Sequence, residues 1–269
     1  MLLRPIAFFL LVMPAAAMAA ATPRQPAGKW NVNFAEAQCL AAREYGTAEN
    51  PLQLVIKAGA IGDVVQLAIV RKARGGGEPE QVNGTLAVDG GQPLKVSMLA
   101  HSPKGKDFRI HVVTLRPDQF ALVRQAKQLS VGVDRVDETF AISQMPPLLK
   151  VLDECVADLR KVFNITDPAT GDKSVLPTRA KVSLAALIDS DDYPGISLQR
   201  NQSGRVKFAL LIGEDGRVAD CMIIETSGVA ALDAQSCAIL KIRARFTPAR
   251  DAEGKPAKDA VTAAIVWKL

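Results

Sequence analysis

Apolar residues along this chain recur mostly at every second position, in short runs separated by Gly, Pro, Asn and Asp. That spacing is the pattern of half-buried strands joined by turns. Residues 30–34 read as a first strand, and 52–57 with 64–70 as a hairpin around Gly59 and Gly62. A turn at Gly75-Gly76-Gly77 follows, then strand-like runs at 81–88, 94–99, 108–115, 131–133 and 139–142. Their richness in Val, Ile and Leu predicts a meandering antiparallel sheet. Two stretches change period. Residues 117–128 read as a short helix with Pro117 in its opening turn. Residues 146–163 place Leu148, Leu149, Leu152, Cys155, Val156 and Leu159 on one helical face, opposite Lys150, Glu154 and Arg160.

Periodicity then lapses. Asp167-Pro168, Gly171-Asp172 and Leu176-Pro177 are turn signals, and the stretch 165–186 reads as a linker. Beyond it the alternation returns, with Val206, Phe208, Leu210 and Ile212 on one strand face. The turn Gly213-Glu214-Asp215-Gly216 leads into a second strand, 217–225, and the two make a hairpin. Ser227-Gly228 ends that strand, and 230–244 reads as a helix. Asp233 in its first turn and Lys241, Arg243 and Arg245 towards its end complement the helix dipole. Pro248 stops the helix, and 259–269 alternates strictly through Val261, Ala263, Ile265, Trp267 and Leu269. The whole is an α+β chain of two domains. A β-rich domain closed by a helix spans 30–164, and a β-β-α-β domain spans 187–269.

Composition narrows the class. With 269 residues, 48% hydrophobic and 23% charged, the chain has room for two folded domains and is not a disordered tail. The net charge of +5 is mild and unclustered, and only 5% of residues are aromatic, so the basic stripe of a nucleic-acid binder is missing. Residues 1–21 carry Arg4, a short apolar core from Ile6 to Val12, and Ala17-Met18-Ala19 before Ala20. They read as a secretory signal peptide cleaved after Ala19, or else after Ala21. The rival is an uncleaved anchor, but the apolar stretch is interrupted by Pro14 and is shorter than the roughly 20 residues of a spanning helix. The four cysteines, 39, 155, 221 and 237, all lie beyond the leader, and an even count suits an oxidising compartment. Three pairings are open; the layout favours Cys39–Cys155 and Cys221–Cys237, one bridge per domain.

The C-terminal residues carry a likeness. In order they are Asp192-Tyr193-Pro194, Gly204-Arg205-Val206, Asp215-Gly216-Arg217-Val218, Glu225-Thr226-Ser227-Gly228, Ala231-Leu232-Asp233, Arg245-Phe246-Thr247-Pro248-Ala249 and Gly254-Lys255-Pro256, before the closing strand. Each piece is weak alone; their succession resembles the C-terminal domain of the TonB family of energy transducers. The resemblance implies a small α+β domain in the bacterial periplasm that captures an extended peptide of an outer-membrane receptor by strand addition. Carried onto this chain, the partner-binding edge is Val261, Thr262, Ala263, Ala264, Ile265, Val266 and Trp267. Tyr193, Pro194, Gly216, Ser227, Gly228, Leu232, Asp233, Phe246 and Pro248 match the family motif in structural roles. The bland alternative is that the closing strand is only a paired core strand. The chain also departs from the family. True transducers carry an uncleaved anchor and a long Pro-rich spacer, whereas here the 16 prolines are scattered and a folded domain stands in the spacer's place.

Catalytic and metal chemistry find little support. His101 and His111 are the only histidines, with no Glu or Cys at ligand spacing. There is no Gly-x-Ser-x-Gly, and the triple glycine lacks the Lys-Ser/Thr of a phosphate loop. Asp189, Asp191 and Asp192 lack the glycine and closing Glu of a calcium loop and read as a solvated loop. The chain thus reads as a non-enzymatic envelope protein without a cofactor. Its partners are envelope proteins, an outer-membrane receptor peptide among them. The alternative is an assembly protein that forms a homodimer through the C-terminal domain, with the N-terminal domain doing the recognising.

Overall fold

The computed structural model describes residues 22–73, 77–134, 136–169, 171 and 174–269. The leader at 1–21 and Gly75-Gly76 of the expected turn lie outside the described residues; Gly77 opens a strand. The architecture is α+β. The first unit holds β1 (Asn31–Ala35), β2 (Gln38–Glu44), β3 (Leu52–Ala58), β4 (Val65–Lys72), β5 (Gly77–Val88), β6 (Leu94–Ser102), β7 (Phe108–Leu115), β8 (Gln128–Val133) and β9 (Val136–Ala141). Two helices, α1 (Pro117–Gln125) and α2 (Met145–Val162), complete it. All pairings in the nine-stranded sheet are antiparallel, in the order β1-β2-β3-β4-β7-β6-β5-β8-β9. Just before β1 the chain bridges the two edges. Arg24 pairs in parallel with Phe140 of β9, and the Ala27 N–H donates to the Glu44 carbonyl at the end of β2. The segment before β1 thus caps part of the β9 edge, which shields that stretch from stray pairing.

Inward residues alternate with outward ones as a pleated strand requires. Leu54 and Ile56, Leu67 and Ile69, Val113 and Leu115, and Leu129 and Val131 all enter one core with Leu148, Leu149, Leu152 and Val156 of α2. The Cys39–Cys155 bridge fastens β2 to α2 across 116 residues of chain, with the Cα atoms 5.9 Å apart. Strand β2 is absent from the sequence reading because one of its inward positions is Arg43. That side chain is buried under Trp30, donates to the carbonyls of Gly28 and Ser143, and occupies a core position with its charge satisfied.

The second unit runs α3 (Gly195–Gln199), β10 (Gly204–Ile212), β11 (Val218–Glu225), α4 (Ala230–Arg243), a two-residue pair β12 (Ala249–Arg250) and β13 (Pro256–Ala257), and β14 (Asp259–Trp267). Its sheet is ordered β11-β10-β14, antiparallel throughout, with α4 packed over it. The Cys221–Cys237 bridge ties β11 to α4. The two units are joined by packing as well as by chain. Ala209, Leu211 and Ala260, on the sheet face turned away from α4, belong to the same buried cluster as the first unit's core. Buried Asp220 accepts from Lys57 Nζ at 2.9 Å and Gln38 Nε2 at 3.0 Å, and Lys241 stands 3.8 Å away. Among its described residues, the stretch between the units contains no strand or helix up to 183, yet it is bonded in place. Thr178 pairs with Arg250 and Lys181 with Thr247.

Candidate functional site

Strand β14 is an edge strand: among the described residues it pairs with β10 alone. Its side chains divide by parity. Val261, Ala263, Ile265 and Trp267 face the hydrophobic core under α4. Ala260, Thr262, Ala264 and Val266 take the other face, where Ala260 is buried and Val266 is 67% exposed. The main chain divides by the same parity. Ala260 donates its N–H to the Asp259 carboxylate at 2.8 Å, and its carbonyl accepts from the Arg179 guanidinium, so both groups turn away from β10. Strand groups alternate with period two, so Thr262, Ala264 and Val266 direct theirs the same way.

The beginning of that edge is already occupied. Asp259 is fully buried and accepts from Arg179 Nε at 2.9 Å and from the Ala180 N–H at 2.8 Å. Residues 179–180 therefore cover the edge at Asp259–Ala260. Towards Val266 no hydrogen bond from another element reaches the main chain of Ala264 or Val266 among the described residues. The open part of the edge is the second half of the strand.

The far end of β14 is held from beneath. Trp267 Nε1 donates to Ser236 Oγ at 2.9 Å, and that hydroxyl donates to the Leu232 carbonyl at 2.8 Å. Tyr193 packs edge-on against Trp267 with ring centroids 5.3 Å apart, and its hydroxyl donates to the Gln202 carbonyl at 2.6 Å. The Pro194 carbonyl accepts the Ser197 and Leu198 N–H groups that start α3. Gly216 adopts φ +73° and its carbonyl accepts from Phe246; a Cβ there would meet the Phe246 oxygen. Gly228 has φ +82°, after which Asp233 gathers the end of β11. Asp233 accepts from the Ser227 N–H and hydroxyl at 2.9 and 2.7 Å and from the Thr226 hydroxyl. Burial pushes the Asp233 carboxyl up, against those hydrogen bonds, which pull it down. Leu232 and Phe246 are buried and Pro248 is half-buried.

One expectation changes. Asp192 is not part of a solvated loop: it is 4% exposed, and Arg243 donates to it at 2.7 Å, which holds its carboxyl below the usual range. Arg243 thus serves an ion pair between α4 and the 189–192 turn, beyond its place at the helix end. Asp259, Arg179 and Asp220 gave no signal in the sequence, since a local pattern does not show which charged residues will be buried or paired. Among the described residues no group of three or more His, Cys, Asp or Glu could hold a metal ion.

The second unit is thus a small α+β domain whose edge strand is open in its second half and held at its far end by buried hydrogen bonds. Residues 190–269 match the family model described as Gram-negative bacterial TonB protein C-terminal, the family that the order of motifs in this segment resembles. The nine-stranded unit lies outside the matched residues. A search of curated proteins finds no match to the chain, and a search of solved structures finds none either.

Proposed function

We propose that this is a periplasmic envelope protein whose TonB-like domain binds an extended segment of an envelope partner by adding a strand along β14. The partner class is an outer-membrane receptor peptide in TonB-dependent transport. The observation that carries the reading is the open half of β14, where Ala264 and Val266 turn both main-chain groups outward. Main-chain hydrogen bonds supply affinity in this mode and no catalytic group is needed. The leader supports export, and both disulfides suit an oxidising compartment. Among the described residues no helix is long and apolar enough to cross a membrane.

Photo-crosslinking in living cells tests this. A photoreactive residue at 266 is expected to form an adduct with an outer-membrane protein, and one at 242, on the exposed face of α4, is not. An adduct only between two copies of the chain would replace this reading with the homodimer. Labelling by no partner at 266 would remove strand addition altogether. Sequencing the mature N-terminus, expected to start at residue 20 or 22, distinguishes the exported from the anchored form.

A further inference from the structure

Where the two units meet, the structure leaves a cleft of about 350 Å³ that opens to solvent. Small molecules bind preferentially in clefts of about 300–1,000 Å³ at such junctions, where a few polar groups converge. One wall belongs to the nine-stranded unit and presents Glu80, Gln81 and Arg109. The facing wall belongs to the second unit and presents Ile196, Arg200, Gln202 and residues 228–231.

The charges on these walls do not balance. Glu80 is the one carboxylate among the wall residues, against the two guanidinium groups of Arg109 and Arg200. Arg109 donates to Glu80 through Nη2, and its Nε stands 3.6 Å from Asp134. Its Nη1 has no acceptor among the described residues. The Glu80 side chain is 56% exposed, against 15% for Arg109, and a pair with so exposed an acid is weak enough for another anion to displace it. Arg200 is exposed, and among the described residues its guanidinium has neither an ion pair nor a hydrogen bond. Arg71, opposite Arg109 in the β4–β7 pairing, adds a further positive charge beside that wall, and its buried Nε lacks an acceptor among the described residues. Guanidinium groups with donors to spare, brought to one cleft from two sides, match the several oxygens of a carboxylate or a phosphate. The amides of Gln81 and Gln202 both donate and accept, which suits hydroxyl groups on the body of such a ligand.

We propose that this cleft binds a small hydroxylated organic anion, a carboxylate or a phosphate ester, gripped by Arg109 from one wall and Arg200 from the other. Because the walls belong to different units, the bound anion clamps the units together. The site goes beyond strand addition, since no residue of β14 lines it.

Isothermal titration of the oxidised, full-length protein with malate and with glycerol 3-phosphate tests the site and separates the two acid classes; glycerol is the uncharged counterpart. At least one acid is expected to bind one to one with a Kd on the order of 1 mM or tighter, and glycerol is not. Arg200→Gln, a change at an exposed side chain, should weaken the acid about tenfold. Glu80→Gln, which releases Arg109, should tighten it about threefold, a gain that damage to the fold would not produce. At ten times its Kd the acid should slow proteolysis within 165–186 about tenfold, because only the docked units hold it. No saturable binding of either acid, or equal binding of glycerol, would overturn the proposal. So would unchanged affinity in Arg200→Gln, weaker binding in Glu80→Gln, or digestion as fast with the acid as without it.

Discussion

Asp233 carries three hydrogen bonds in a place with almost no water, so its loss strands more than itself. Asp233→Ala leaves the Ser227 N–H and two hydroxyls without their acceptor, at a cost of about 2–3 kcal/mol. A lowered urea midpoint at unchanged slope is the expected readout. His111 makes a prediction of a different kind. It lies in the inward row of β7, 1% exposed, with Nε2 at 2.8 Å from Asp134 Oδ2 and, among the described residues, no partner for Nδ1. Burial pushes it down; Asp134 pulls it back up, and Arg71 and Arg109 add to the lowering. His101 is lowered too, by burial first, then by Arg109 and His111. Above about pH 6.5 both are neutral folded and unfolded. Below it the unfolded chain takes up protons first, so stability falls with pH until the folded values are reached. Urea midpoints at pH 7.5 and 5.5 should show this loss, and His111→Gln should shrink it.

At the scale of the element, β14 offers its own internal control. Proline is tolerated where a strand N–H faces away from its neighbour and not where it joins the ladder. Val266→Pro is therefore expected to leave thermal stability within about 0.5 kcal/mol of the parent. Ile265→Pro, one residue away with its N–H directed to β10, should cost about 3 kcal/mol or more. Equal effects would mean the parity is misassigned. The sequence made this strand legible because its inward side chains alternate without a break, and the β10–β11 hairpin and α2 were plain for the same reason. Strand β2 was hidden because Arg43 sits where an apolar residue belongs, its charge satisfied by Trp30, Gly28 and Ser143, far off along the chain or non-periodic within it. What the strand edge does was also hidden in part. Arg179 and Asp259 are 80 residues apart, and a local pattern cannot report a pair made by tertiary folding.

For the molecule as a whole, the docking of the two units rests on groups that read as ordinary surface in the sequence. Gln38 and Lys57 of the first unit and Lys241 of the second converge on Asp220, which is 5% exposed. Asp220→Ala leaves the two lysines facing each other without an acid between them, and breaking a buried pair in this way costs about 3–5 kcal/mol. Faster proteolysis within 165–186, with both disulfides intact, is the expected sign that the units have parted. An unchanged digestion rate would place the stability of the docking in the apolar contacts of Ala209, Leu211 and Ala260 instead.

The order of the bridges has a consequence for how the molecule is made. Of the three ways to pair four cysteines, this one joins the first to the second and the third to the fourth along the chain. A polypeptide delivered amino-end first offers Cys155 to Cys39 before Cys221 has emerged, and Cys237 then finds Cys221 alone. An oxidant that joins thiols in order of arrival therefore yields the correct set unaided, and shuffling of mispaired bridges, which takes seconds to hours, is not required. Biogenesis of this protein should depend on a thiol oxidase and be indifferent to a disulfide isomerase.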